Sequence, residues 1–162
     1  MPALFFLLAA MLLAVLTGCG GKAKETAAAA EPKTPQEMYD LIEKNIGLPE
    51  MVPGDDDYIF NYYGIDTKEL DSYVFATADS AVSADAVIIL KAKDAASAGA
   101  FAEKLKSVKE WKEAEMENYA PEAYKVAKAS EVRTEGQYVW LIMSEKASEM
   151  EEIVRNGIKG KP

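Results

Sequence analysis

The chain has 162 residues, 49% of them hydrophobic and 28% charged, with 18 Lys and Arg against 27 Asp and Glu, for a formal net charge of −9. That balance fits one modest domain with accessory segments, and it argues against a nucleic-acid partner, because such binding draws its affinity from Lys and Arg contacts that release counterions. With no histidine and a single cysteine, the commonest general base, the usual catalytic zinc ligand, an internal disulfide and a CxxC redox pair all drop out, and no cofactor or metal is implied.

Residues 3–16 form an uninterrupted apolar run, shorter than the roughly 20 residues that cross a bilayer as a helix and matching the apolar region of a signal peptide. No Lys or Arg precedes Lys22, which departs from the basic leader such peptides carry. The run ends in Leu16-Thr17-Gly18-Cys19, which resembles the lipobox of bacterial lipoproteins. The resemblance implies a diacylglycerol thioether on Cys19, cleavage just before it, and a membrane partner reached through lipid. Only a thiol forms that thioether, and small residues before it let the extended backbone enter the peptidase. Residues 1–18 are therefore expected as a signal peptide and 19–33 as the lipidated cysteine with a flexible tether. The stretch from Gly20 to Thr34 holds too little apolar surface to offset the entropy of ordering it.

A single domain is expected over 34–158. Thr34, Pro35 and Glu37 predict a capped helix start, with Met38, Leu41 and Ile42 as its apolar stripe and Gly47 and Pro49 ending it. Residues 48–66 read as irregular, with Pro53-Gly54 as a turn followed by Asp55-Asp56-Asp57. Tyr73–Thr77 and Ala86–Leu90 predict an antiparallel strand pair. Asp94 caps a long helix running to about Asn118, its stripe being Ala98, Phe101, Leu105 and Val108. Tyr119 and Tyr124 flank Pro121, which starts a short helix through about Ala127. Glu131–Thr134 and Gln137–Met143 predict a second hairpin. Its last strand is apolar on both faces, which suits a central strand covered on each side or covered once and lined by aromatics. Ser144 then caps a final helix with Ala147, Met150, Ile153 and Val154 as its stripe, stopped near Gly157. The order α-β-β-α-β-β-α predicts an α+β, two-layer domain with a mostly antiparallel four-stranded sheet.

From about Met38 to Val154 these features, in this order, resemble the lipoprotein domain family catalogued as domain of unknown function 4358, found largely in Gram-positive bacteria. Tyr63-Gly64-Ile65-Asp66, the strand Ala86–Lys93, the helix leading to Tyr119-Ala120-Pro121-Glu122, and the hairpin at Gly136-Gln137-Tyr138-Val139 carry the resemblance. It implies an extracytoplasmic lipoprotein and no particular activity.

Candidate ligand-binding residues lie in the 55–63 segment. Asp55, Asp56 and Asp57 offer hard oxygen donors, but Ile59 and Phe60 stand where a calcium loop needs a third ligand and a glycine. Tyr58, Phe60, Tyr62 and Tyr63 follow directly. Aromatic faces beside carboxylates suit a sugar, and they equally suit rings that pin a loop onto the sheet. Trp111 and Trp140 read as core or interface packing, and Ser144 with Lys146 reads as a helix start rather than a catalytic dyad. The sequence thus predicts a non-enzymatic interaction domain for an envelope protein or glycan. Small-ligand capture of a sugar or cation through 55–63 is the alternative, and a carboxylate hydrolase a third reading. A flat exposed aromatic patch favours the first, a deep pocket with convergent polar groups the second, and paired carboxylates with one raised pKa the third.

Overall fold

The computed structural model describes residues 31–161, so the expected signal peptide, Cys19 and most of the expected tether lie outside the described residues. Eleven elements follow one another: α1 (Pro35–Asn45), β1 (Met51–Pro53), α2 (Asp56–Tyr63), a 3-10 turn (Thr67–Glu69), β2 (Leu70–Ala78), β3 (Ala86–Ala92), α3 (Ala95–Met116), α4 (Pro121–Ala129), β4 (Val132–Glu135), β5 (Tyr138–Met143) and α5 (Ala147–Ile158). The strands form one antiparallel sheet in the order β1-β2-β3-β5-β4.

The α+β class and the antiparallel sheet are as the sequence predicts; the count of four strands is not. The fifth, β1, pairs Met51 with Ala78 and Pro53 with Ala76 along the end of β2. Three residues are too few for an alternating pattern, and the closing proline donates no ladder hydrogen bond. The second correction is α2, expected as irregular chain.

A third correction concerns the layers. Alternate residues of the central strands feed two separate cores. Ile88, Leu90, Val139 and Leu141 pack with Ile59, Phe101 and Leu105 beneath α2, α3 and α4. Val87, Ile89, Trp140 and Ile142 pack with Met38, Ile42, Met150 and Val154 beneath α1 and α5. The sheet is therefore sandwiched between helices, giving three layers rather than two. Its central strands are apolar on both faces for that reason: β5 is buried at every position.

The helix starts follow local chemistry. The Thr34 hydroxyl accepts from the Glu37 amide at 3.2 Å while the Glu37 carboxylate accepts from the Thr34 amide at 2.7 Å, a reciprocal capping box. Asp94 caps α3 by accepting from the Ser97 amide at 2.8 Å. Ser144 is not the cap of α5. That helix begins after Lys146 without a side-chain cap, and the Ser144 hydroxyl accepts from the Lys146 amide at 3.3 Å one turn earlier. The helix ends at Ile158, next to Gly157, where the sequence predicts its stop. Gly157 lies where α5 crosses α1, close enough that a Cβ there would displace the Met38 side chain.

The chain enters the domain at a fixed point. The Lys33 amide donates to the Gly157 carbonyl at 2.9 Å, and the Tyr138 hydroxyl donates to the Lys33 carbonyl at 3.0 Å. Both bonds hold the segment before α1 against the α1/α5 layer.

Candidate functional site

The acids after Pro53-Gly54 begin a helix rather than a loop. Asp55 has extended backbone and accepts from the Tyr58 amide at 2.7 Å, which satisfies one of the orphan donors of α2. Asp56 and Asp57 occupy the first turn, where carboxylates complement the positive end of the helix dipole. Gly64 ends the helix at φ 64°, the left-handed conformation that favours glycine. Ile59, fully buried, fixes the helix onto the sheet.

This placement separates the predicted site residues into three groups. Asp55 is a cap. Asp56 and Asp57 line an open depression of ≈ 150 Å³ with Phe60, Asp66, Thr67 and Lys68. There Asp56 accepts from the Thr67 hydroxyl at 2.7 Å and from the Tyr73 hydroxyl at 2.6 Å. The Tyr73 bond, then the Thr67 bond, hold the Asp56 carboxyl below its usual range. Burial, then the Asp56 bond, push Tyr73 up to about 12. Among the described residues no group of three or more carboxylate or thiol side chains is arranged to hold a metal ion.

Tyr58, Tyr62 and Tyr63 form the third group. The Tyr58 and Tyr62 rings, one helical turn apart, have centroids 4.7 Å apart, and the Tyr58 and Tyr63 hydroxyls lie 3.3 Å apart. Tyr63 stacks on Phe75 at 5.1 Å and meets Trp111 of α3 edge-on at 6.0 Å. Burial, followed by the Tyr58 hydroxyl, raises the pKa of Tyr63 well above the ordinary phenol value. Tyr63 is the half-buried foundation. Tyr62, 68% exposed, and Trp111, 47% exposed, carry the ring surface that faces water. Phe60, also exposed, sits on the other flank with Asp56 and Asp57.

Trp111 is the member that sequence reasoning placed elsewhere. Core or interface packing was the reading for both tryptophans, and it suits Trp140, which is buried in the α1/α5 core. At helical spacing after Val108, the α3 stripe would pass to Trp111 or Lys112. Neither extends it: the next residue of α3 to be buried is Met116. Trp111 instead turns toward the ring of Tyr63.

Chemically the arrangement is a surface of exposed rings beside carboxylates. The carboxylates whose acidity departs from the ordinary value are Glu37, Asp56, Asp71 and Asp94, and each is shifted down by hydrogen bonds or a lysine. A general acid at neutral pH needs the opposite shift. The rings present flat apolar faces with polar edges, suited to contact with another surface.

Comparison with curated proteins, and separately with solved structures, gave no significant match. A family profile described as Domain of unknown function (DUF4358) matches residues 44–144, from the last turn of α1 to the residue after β5. The chain belongs to that family.

Proposed function

We propose that this protein is a lipid-anchored, extracytoplasmic interaction domain without enzymatic activity, which recognises a protein or glycan of the cell envelope through the aromatic patch of α2 and α3. The observation that carries the reading is the exposure of Tyr62 and Trp111 on a foundation of Tyr58 and Tyr63. Monomeric soluble domains seldom expose contiguous large apolar surface, and tyrosine and tryptophan are enriched where partners dock.

The address rests on the sequence. Leu16-Thr17-Gly18-Cys19 follows an apolar run of signal-peptide length. Two or three acyl chains at Cys19 make a stable anchor, because burial contributes about 0.8 kcal/mol per CH₂ and one chain alone is marginal. An acidic chain with net charge −9 gains little from anionic headgroups, so covalent lipid is the anchor that suits it.

The test is site-directed photocrosslinking in intact cells, with the crosslinking residue placed at Asn61, exposed on α2 next to Tyr62. A discrete adduct that disappears in Tyr62→Ser/Trp111→Ser is the expected result. Adducts unchanged by that pair, or present equally with the crosslinker at Lys44 on α1, overturn the assignment of the patch.

Small-ligand capture at the same patch is the second reading, favoured by the tilted Tyr58–Tyr62 pair as a stacking surface. It predicts a saturable tyrosine or tryptophan fluorescence change with soluble peptidoglycan fragments, and no protein adduct.

A further inference from the structure

A second site lies on the same layer but on different residues, at the junction of the 3-10 turn, the end of β3 and the start of α3. Lys68, Lys93 and Lys104 line an open pocket of ≈ 370 Å³ together with Glu69, Asp94, Ser97, Ala100 and Phe101. Described lysines divide between those with an ion pair and those without, such as Lys44, Lys128 and Lys146, and the three at this pocket differ from the rest of the second group in lining one pocket as a group of three. Lys91, Lys106, Lys109, Lys112, Lys125 and Lys159 each face a carboxylate within ion-pairing distance. The three pocket lysines do not. The Lys93 ammonium donates to the Lys68 carbonyl at 2.6 Å and the Lys104 ammonium to the Gly64 carbonyl at 2.5 Å. These acceptors are neutral, so each bond fixes an ammonium in place without cancelling its charge and leaves further N–H donors free. Lys68 has neither a hydrogen bond nor an ion pair for its ammonium among the described residues.

The acids around the pocket compensate in part: Lys68 also borders the depression of Asp56, Asp57 and Asp66, and Asp71 lies within reach of the Lys93 charge. Asp94 is engaged as the α3 cap, accepting from the Ser97 amide at 2.8 Å and from the Ser97 hydroxyl at 3.1 Å. Glu69 is the remaining carboxylate of the lining. Three ammonium groups on the lining of one pocket repel one another, and an oxyanion seated between them removes that repulsion. A planar carboxylate is best matched by the fork of an arginine, and no arginine lines this pocket. Ammonium groups act as point charges that approach from separate directions, which suits oxygens directed tetrahedrally around phosphorus. Ala100 and Phe101 add an apolar wall for the organic part of such a ligand.

We propose that this pocket binds a phosphate group carried by a small organic molecule or polymer, held by Lys68, Lys93 and Lys104.

The test is isothermal titration and amide NMR on the full chain in neutral detergent, with glycerol 3-phosphate, dimethyl phosphate and acetate as separate probes. Saturable shifts centred on Ser97 and Ala100 with either phosphate, and none with acetate at equal concentration, are the expected result. The monoester and diester arms distinguish a terminal phosphate from a bridging one. Lys68 bonds nothing through its ammonium, so Lys68→Glu leaves the melting temperature unchanged and weakens phosphate binding about tenfold or more. Lys44→Glu, on the opposite layer, changes net charge equally and leaves binding intact. Silence with both phosphates, equal binding of acetate, or equal weakening in the two variants overturns the proposal.

Discussion

The Tyr73 phenol of β2 donates to the Asp56 carboxylate of α2 at 2.6 Å, tying the second strand to the first turn of a helix 17 residues earlier. The pair gives stability a pH signature at both ends. Asp56 is depressed below 3.8, so its contribution is complete above the ordinary aspartate range and is lost as pH falls through its lowered value. Tyr73 is raised to about 12, so its contribution is complete below the ordinary phenol range and is lost as pH rises through about 12. Melting temperature against pH in Asp56→Asn is expected to fall less steeply on the acid side than in the wild type. In Tyr73→Phe both limbs flatten, and an unchanged alkaline limb in that variant contradicts the assignment.

Gly157 tests the closeness of α1 and α5. A Cβ built there meets Met38 Cγ at 2.8 Å and Met38 Sδ at 3.2 Å, while Met38 is itself fully buried. Gly157→Val is expected to destabilise by about 1–3 kcal/mol through overpacking. Gly157→Ala loses less, because alanine's helix preference returns up to about 1 kcal/mol. Urea denaturation measures both, and Met38→Ala in the Gly157→Val background restores part of the loss.

Trp140 fills the core between the sheet and α1/α5, yet its indole N–H has no hydrogen-bond partner among the described residues. Trp140→Ala is expected to cost about 3–5 kcal/mol by opening a cavity. Trp140→Phe keeps much of the volume and removes an unpaired donor, so it costs clearly less. Equal losses in the two variants, measured by chemical denaturation, indicate that the N–H is satisfied.

For the aromatic patch, stability and recognition separate. Tyr62→Ser and Trp111→Ser each alter side chains that are about half exposed or more, at 68% and 47%. Each is expected to shift stability by about 0.5 kcal/mol or less, as surface changes do, while lowering partner crosslinking. Tyr63→Ser, by contrast, removes the ring stacked on Phe75 and lowers the melting temperature.

Cys19→Ala is expected to abolish incorporation of a clickable fatty-acid probe and release the protein from membranes. A variant still labelled contradicts lipidation at this residue.

The elements legible in the sequence were those with both a period and punctuation. α1 announced itself by Thr34, Pro35 and Glu37, and α3 by Asp94 and the stripe from Ala98 to Val108, both of which the structure contains. α2 was missed although its signals were present: an aspartate cap, acids in the first turn and Gly64 at the end. The eight-residue helix buries only Ile59, so no apolar stripe revealed it, and Pro53-Gly54 before three acids resembled a turn. The sandwich of three layers was foreshadowed by the two-sided apolar character of β5, one of the options the strand left open.

The sites divide in the same way. Tyr58, Tyr62 and Tyr63 lie within six consecutive residues, so their neighbourhood was visible from the sequence even though the helix that carries them was not. The Asp56–Tyr73 bond, the approach of Trp111 to Tyr63 and the gathering of Lys68, Lys93 and Lys104 join separated stretches of chain. Pairings of that kind depend on strand order, which local pattern does not encode.

The clamp on Lys33 sets a polarity for the whole domain. Because Gly157 and Tyr138 grip the chain on the α1/α5 layer, any leash leading away from the domain departs from that side. The rings of Tyr62 and Trp111 and the ammonium groups of the lysine pocket belong to the opposite layer. The lipid anchor proposed at Cys19 would then lead off the face opposite both proposed binding surfaces.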